Sequence, residues 1–329
     1  MATWYPAGPA ATAYSDAMPR RLSSALDLVD LPPAEVEAFF ATEQPERVVA
    51  LVHDLDDRQV GRLVAVPHVR ESAVRLVLAR LGEFALPEAL AAVKGVVEFE
   101  VDVPGGAPER HLLVFDGAGV AVSPNGEEDP DVTVSMAALD FVRLVSGGSS
   151  AAILLLGGRL RVSGDEELAL RVGGVFQVPG QPGVAVDPSA VDPVEAAAAV
   201  KGVKDVVLDR VMSGAFREVV LDQIITRMPD FLDERKAGQH RLTVGFRVEG
   251  RPDGGSDRVV VHVDRGTCRA ERDTDGDRDA TLLLDGTQFL KLVLGHLNPV
   301  TAVMRGSIKV KGDVNAALRL HRLMRIPGS

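Results

Sequence analysis

Strict alternation of apolar and polar positions marks two places in the chain. Leu242, Val244, Phe246 and Val248 share one side while Thr243, Gly245, Arg247 and Glu249 share the other, the period of a half-buried strand. Val97, Phe99 and Val101 repeat the pattern against Glu98, Glu100 and Asp102. Ahead of each run the spacing changes to three and four: Val74, Val77, Leu78 and Leu81 in one case, Leu221, Ile224, Ile225 and Met228 in the other. That is the apolar stripe of a helix. After each run comes a loop rich in Gly, Pro and Asp, at 104–109 and 251–257, which predicts a turn between paired strands. Short strands are then expected at 111–115, 120–123 and 132–136, and again at 259–263, 268–271 and 280–284. A helix carrying Phe141, Leu144 and Val145, or Phe289, Leu292 and Val293, precedes a last strand at 159–163 or 307–311. Gly164-Asp165 and Gly312-Asp313 follow, with the Asp placed to cap a closing helix.

These correspondences are one long internal repeat. Arg70-Glu71 matches Arg217-Glu218 and Phe84 matches Phe231 at an offset of 147; Asp131, Phe141 and Gly164-Asp165 match Asp279, Phe289 and Gly312-Asp313 at 148. Two copies of this length are two domains rather than a solenoid of short units. The unit is read at about 57–180 and 204–328. The organisation expected is a disordered or extended segment at 1–30, a helical lead-in plus first domain at 31–180, a Pro/Gly-rich linker at 181–193 and a second domain at 194–329. The order helix, four strands, helix, strand, helix segregates strands from helices. The predicted class is α+β with a mostly antiparallel sheet in each half.

Two local signatures accompany this order. One is Asp-x-Thr-hydrophobic ahead of an apolar helix, at Asp131-Val-Thr133-Val and Asp279-Ala-Thr281-Leu; the other is the strand ending in Gly-Asp, GRLRVSGD at 158–165 and GSIKVKGD at 306–313. Together they resemble the sterol carrier protein 2 (SCP2) domain, and the resemblance covers each unit nearly end to end. It implies a five-stranded sheet covered by helices, with an apolar tunnel between them for sterols, fatty acids or acyl thioesters. The lining candidates on that basis are Phe99, Val101, Phe141, Leu144, Leu160 and Val162 in the first unit. In the second they are Phe246, Val248, Phe289, Leu292, Val293, Ile308 and Val310. A filled core shows the same apolar faces, so periodicity leaves open whether these residues surround a hollow. A cavity of about 300 Å³ or more favours a ligand, whereas closed cores with an exposed apolar patch favour a protein partner.

The remaining chemistry narrows the reading. The seven histidines form no metal-ligand spacing. The alternation turns His111 inward and His262 outward. The acidic run from Asp273 to Asp279 lacks the glycine and glutamate of a calcium loop, having Gly276 at its fourth position and Leu284 at its twelfth. Neither a phosphate loop nor a nucleophile elbow is present. These features predict no catalytic residues, no metal, no cofactor and a protein that is not an enzyme. The net charge of −11 argues against nucleic acid and against a purely electrostatic hold on an anionic membrane. No run is long enough for an integral membrane span. The single cysteine, Cys268, fits a reducing cytoplasm, and the Ala/Val/Arg/Gly bias a bacterial coding style. The function expected is non-catalytic binding or carriage of an apolar small molecule or lipid. The alternative is a protein-interaction or scaffolding module with closed cores, and either leaves room for a protein partner or homo-oligomer.

Overall fold

Both alternating runs become the central strand of a sheet. The computed structural model describes residues 22–103, 105–123, 126, 128–181, 183–272 and 276–327. The first unit is led by α1 (Pro33–Thr42), α2 (Pro45–His53), α3 (Asp57–Val64), α4 (Pro67–Ala79) and α5 (Pro87–Leu90). Four of these begin with proline in the first turn, where the missing N–H costs nothing. The sheet follows as β1 (Lys94–Asp102), β2 (Glu109–Asp116), β3 (Val120–Val122) and β4 (Val132–Ala137). Then come α6 (Ala138–Val145), α7 (Ala151–Leu156), β5 (Leu160–Gly164) and α8 (Glu166–Gly173). The second unit repeats this order from α2 onward. Its elements are α9 (Pro193–Val200), α10 (Asp205–Ser213), α11 (Phe216–Arg227), α12 (Glu234–Ala237), β6 (Arg241–Glu249), β7 (Ser256–Asp264), β8 (Thr267–Arg272) and β9 (Ala280–Asp285). The unit ends with α13 (Gly286–Val293), α14 (Pro299–Met304), β10 (Lys309–Gly312) and α15 (Val314–Leu323).

The sheets run β3-β2-β1-β4-β5 and β10-β9-β6-β7-β8. Each is antiparallel except for one pair, β1 with β4 and β6 with β9. The class is therefore the α+β one predicted. The correspondence also reaches further back than residues 57 and 204, because α2 and α3 occupy the places of α9 and α10. Their sequences have diverged (PERVVALVH against PVEAAAAV), leaving the proline start in common. Of the segment expected to be extended at 1–30, residues 1–21 lie outside those described. Beyond them Ala25–Asp30 is a 3-10 helix, because Ser24 and Asp27 form a capping box at its start. In the acidic run, residues 273–275 lie outside the described ones.

The two repeated signatures are one clamp. The Asp131 carboxylate accepts from the Val96 N–H at 2.8 Å, and its carbonyl accepts from the Asp165 N–H at 2.9 Å. Asp279 does the same with Thr243 at 2.7 Å and Asp313 at 2.7 Å. The glycine between fits because it has no side chain. Gly164 (φ +98°) and Gly312 (φ +89°) would place a Cβ 2.3 and 2.4 Å from the carbonyl oxygens of Asp131 and Asp279. The next residue, Asp165 or Asp313, caps the closing helix. Gly164→Ala is expected to cost about 2–3 kcal/mol, from left-handed backbone strain plus the contact. A chemical-denaturation midpoint reads this, and an unchanged midpoint would show the clamp to be slack.

The units are knitted together by α7, whose sequence AAILLL is apolar on every face and so can serve two cores at once. Leu154 belongs to the core of the first unit and Leu156 to that of the second, beside Ala196, Ala197, Val200 and Leu208. Glu166 of α8 accepts from the Ala215 N–H at 2.6 Å, its carboxylate packed over Gly214. The segment expected as a linker is also fastened. The Ala185 N–H donates to Phe176 O at 2.6 Å, and the Arg227 guanidinium donates to the carbonyls of Ser189 and Val191.

Candidate functional site

The inner face of the first sheet is built of cross-strand rows. Val97 lies beside Val132 and Val132 beside Gly164; Phe99, Val134 and Val162 form the next row, and Val101, Met136 and Leu160 the one after. In the flanking rows Val97, Val132, Val101 and Met136 are sealed. The middle row differs: Phe99 and Val134 keep accessible surface under the helices. A cavity of about 310 Å³ sits over it. Its roof comes from α4 through Leu76 and Val77, from α6 through Leu144, and from α11 of the second unit through Phe216 and Val219.

The second sheet repeats the rows, with Phe246, Leu282 and Val310 in the middle. Here the hollow shrinks to about 190 Å³. In this unit Phe246 packs edge to face on Phe289, ring centroids 5.4 Å apart. Ala152, Leu156, Pro188, Val219 and Val220 line both cavities, so α7 and α11 form a common wall.

Charge is nearly absent from these walls, and where it occurs it is engaged. In the first cavity Arg70 pairs with Glu109 at 2.7 Å, while Arg80 binds Glu83 and the Glu43 carbonyl. In the second, Arg227 is held by backbone carbonyls. Burial, and then Arg322, hold His321 below the usual imidazole range, which keeps it neutral at pH 7.

Of the residues singled out from the sequence, Phe99, Phe141, Leu144, Leu160 and Val162 line the first cavity, and Phe246, Leu292 and Val293 the second. Val101, Val248, Phe289 and Ile308 are instead sealed in the cores, and Val310 packs against one. Val101 and Val248 belong to flanking rows, and Phe289 packs edge to face on Phe246. Missed were Val134 and Leu282, the hydrophobic positions of the Asp-x-Thr signature itself, and the contribution of α11 to the first cavity.

Outside the cavities little is poised for chemistry. Among the described residues no group of three His, Cys, Asp or Glu side chains is placed to hold a metal ion. His111 is half-buried, and burial lowers its pKa; His262, more exposed, meets the Thr243 hydroxyl at 3.2 Å. Burial pushes the Cys268 thiol up to about 11. Its alkylation by iodoacetamide at pH 8 is expected to run roughly a hundredfold slower than that of free cysteine. Reaction at the free-thiol rate would contradict its burial.

The sequence profile of the SCP-2 sterol transfer family matches two stretches, residues 76–177 and 221–325. The chain belongs to the SCP-2 sterol transfer family. Sterol carrier protein 2 of Gallus gallus is 31% identical over 83 residues, which are 25% of this chain and 15% of that protein. The chain thus spans a small part of that relative's length. Among solved structures, sterol carrier protein 2 from Yarrowia lipolytica in its apo form aligns at 20% identity and a TM-score of 0.27, covering 35% of this chain and 98% of that one. The stereoselective inverting sec-alkylsulfatase Pisa1 from Pseudomonas sp. aligns at 20% identity and a TM-score of 0.29, covering 40% and 20%. That neighbour is an enzyme. The expectation that this chain is not an enzyme is corrected: an enzyme stands among its structural neighbours. Among the described residues, no helix is long and apolar enough to cross a membrane.

Proposed function

We propose that this protein binds and carries a single apolar ligand, a sterol-like lipid, fatty acid or acyl thioester, in the cavity of its first unit. The observation that carries the reading is the hollow of about 310 Å³ over Phe99, Val134 and Val162. Its size reaches the range of ligand pockets, and its charged neighbours are already paired. Each ligand methylene moved from water into such walls gains about 0.8 kcal/mol. A long chain is then held with few polar contacts, as suits a carrier that must also release it. The single cysteine supports carriage in a reducing cytoplasm.

The second unit favours the other reading, an accessory or docking role. Its hollow of about 190 Å³ falls below that range. Beside it Val300 and Met304 stand exposed. Native mass spectrometry of protein purified from cells, followed by titration of delipidated protein with a fluorescent fatty acid, tests the proposal. One lipid per chain and saturable uptake are expected. Lipid-free protein that takes up no probe would overturn it.

A further inference from the structure

The last elements of the second unit carry charge of the opposite sign to the chain as a whole. Arg305, Lys309, Lys311, Arg319 and Arg322 are all exposed, and none pairs with a carboxylate among the described residues. Elsewhere in the same unit Arg241, Arg251, Arg269 and Arg272 each have an acidic partner. Asp313 is the one acid between Pro299 and Pro327, and it is occupied in capping α15. Arg305, Arg319 and Arg322 lie at the end of α14 and down the solvent stripe of α15, which pack on one another, whereas Lys309 and Lys311 flank Val310 on the edge strand β10 and face the other side of the sheet. Among them stand Val300, Met304 and Val314, exposed by 46, 83 and 42%.

The first unit is an internal control. Its residues at these places are Gly157, Arg161, Ser163, Arg171 and Gly174 for the cations, and Ala152, Leu156 and Glu166 for the apolar three. There Arg161 pairs with Asp102, Arg171 lies near Asp165 and Glu167, and Leu156 is covered by the second unit. Only the copy whose face has no neighbouring unit has turned basic and kept bare apolar side chains.

We propose that α14 and α15 form a docking surface for an anionic lipid bilayer. Unpaired cations meet anionic headgroups, while Met304, Val300 and Val314 enter the interface beneath them. A nucleic acid would use the cations but leave the apolar residues idle, and the surface offers no aromatic ring for bases to stack on. The net charge of −11 is an average that conceals this local field. Docking here turns toward the bilayer the helices whose Pro299, Ala317 and Leu320 wall the second cavity.

The test is co-sedimentation with phosphatidylcholine vesicles, with and without phosphatidylserine. Binding is expected only with phosphatidylserine, falling as salt is raised. Each cation neutralised is expected to weaken it roughly fivefold, so Arg305→Gln, Arg319→Gln and Arg322→Gln together lower it about a hundredfold. Met304→Gln, which keeps every charge, also weakens it. Because these side chains are exposed, thermal midpoints check that the variants fold. Equal binding to both vesicle types, no binding to either, an unchanged triple variant, or capture of duplex DNA in place of vesicles would each overturn the proposal. Fatty-acid uptake in the first cavity is read separately, so the failure of one idea does not masquerade as failure of the other.

Discussion

Arg217→Leu is expected to lower the stability of the protein by about 4 kcal/mol, the scale for breaking a buried ion pair from one side. Arg217 is only 4% exposed. Its guanidinium donates to Asp257 at 2.7 Å, to the Val248 and Glu249 carbonyls at 2.7 and 3.1 Å, and to the Met212 carbonyl. One side chain thereby ties α10 and α11 to both β6 and β7. Leucine fills part of the volume but strands three carbonyls and the Asp257 carboxylate, which keeps only the half-exposed Arg251 and Arg272. Its counterpart Arg70 holds Glu109 and one carbonyl, that of Val64. Arg70→Leu should therefore cost less, about 2 kcal/mol. Urea midpoints of the two variants decide the matter, and equal losses would contradict the difference in bonding.

The second large effect concerns the ligand. Val134→Trp places an indole into the hollow above the middle row, where Phe99 and Val162 flank it. Displacing about four methylenes of a bound chain removes about 3 kcal/mol of burial, or roughly two orders of magnitude in affinity. Since the residue enters an existing cavity, overpacking is expected to cost no more than about 1–3 kcal/mol. Titration of the delipidated variant with the fluorescent fatty acid should show uptake all but lost while the fold persists. Uptake equal to that of the unaltered protein would place the ligand elsewhere.

Local rules made much of this architecture legible. Alternation at Val97–Val101 and Leu242–Val248 identified the central strands because burial on one face leaves a period of two. The Asp-x-Thr and Gly-Asp signatures stood out because the clamp needs a short acceptor and a residue without Cβ. The Arg-Glu pairs were visible as repeats, but their partners lie about 40 residues onward on another strand, beyond any local pattern. The hollow was not legible either. Val101 and Phe99 follow the same period, and what separates a sealed row from an open one is how closely the helices pack overhead. The ring contact of Phe246 on Phe289 was not legible either; the equivalents Phe99 and Phe141 make none among the described residues.

Helix α7 has a consequence for how such a chain can be handled. Since it completes the second core as well as the first, a fragment ending at residue 180 would show Ala152, Leu155 and Leu156 to water as a greasy seam. Producing that fragment alone calls for polar replacements there.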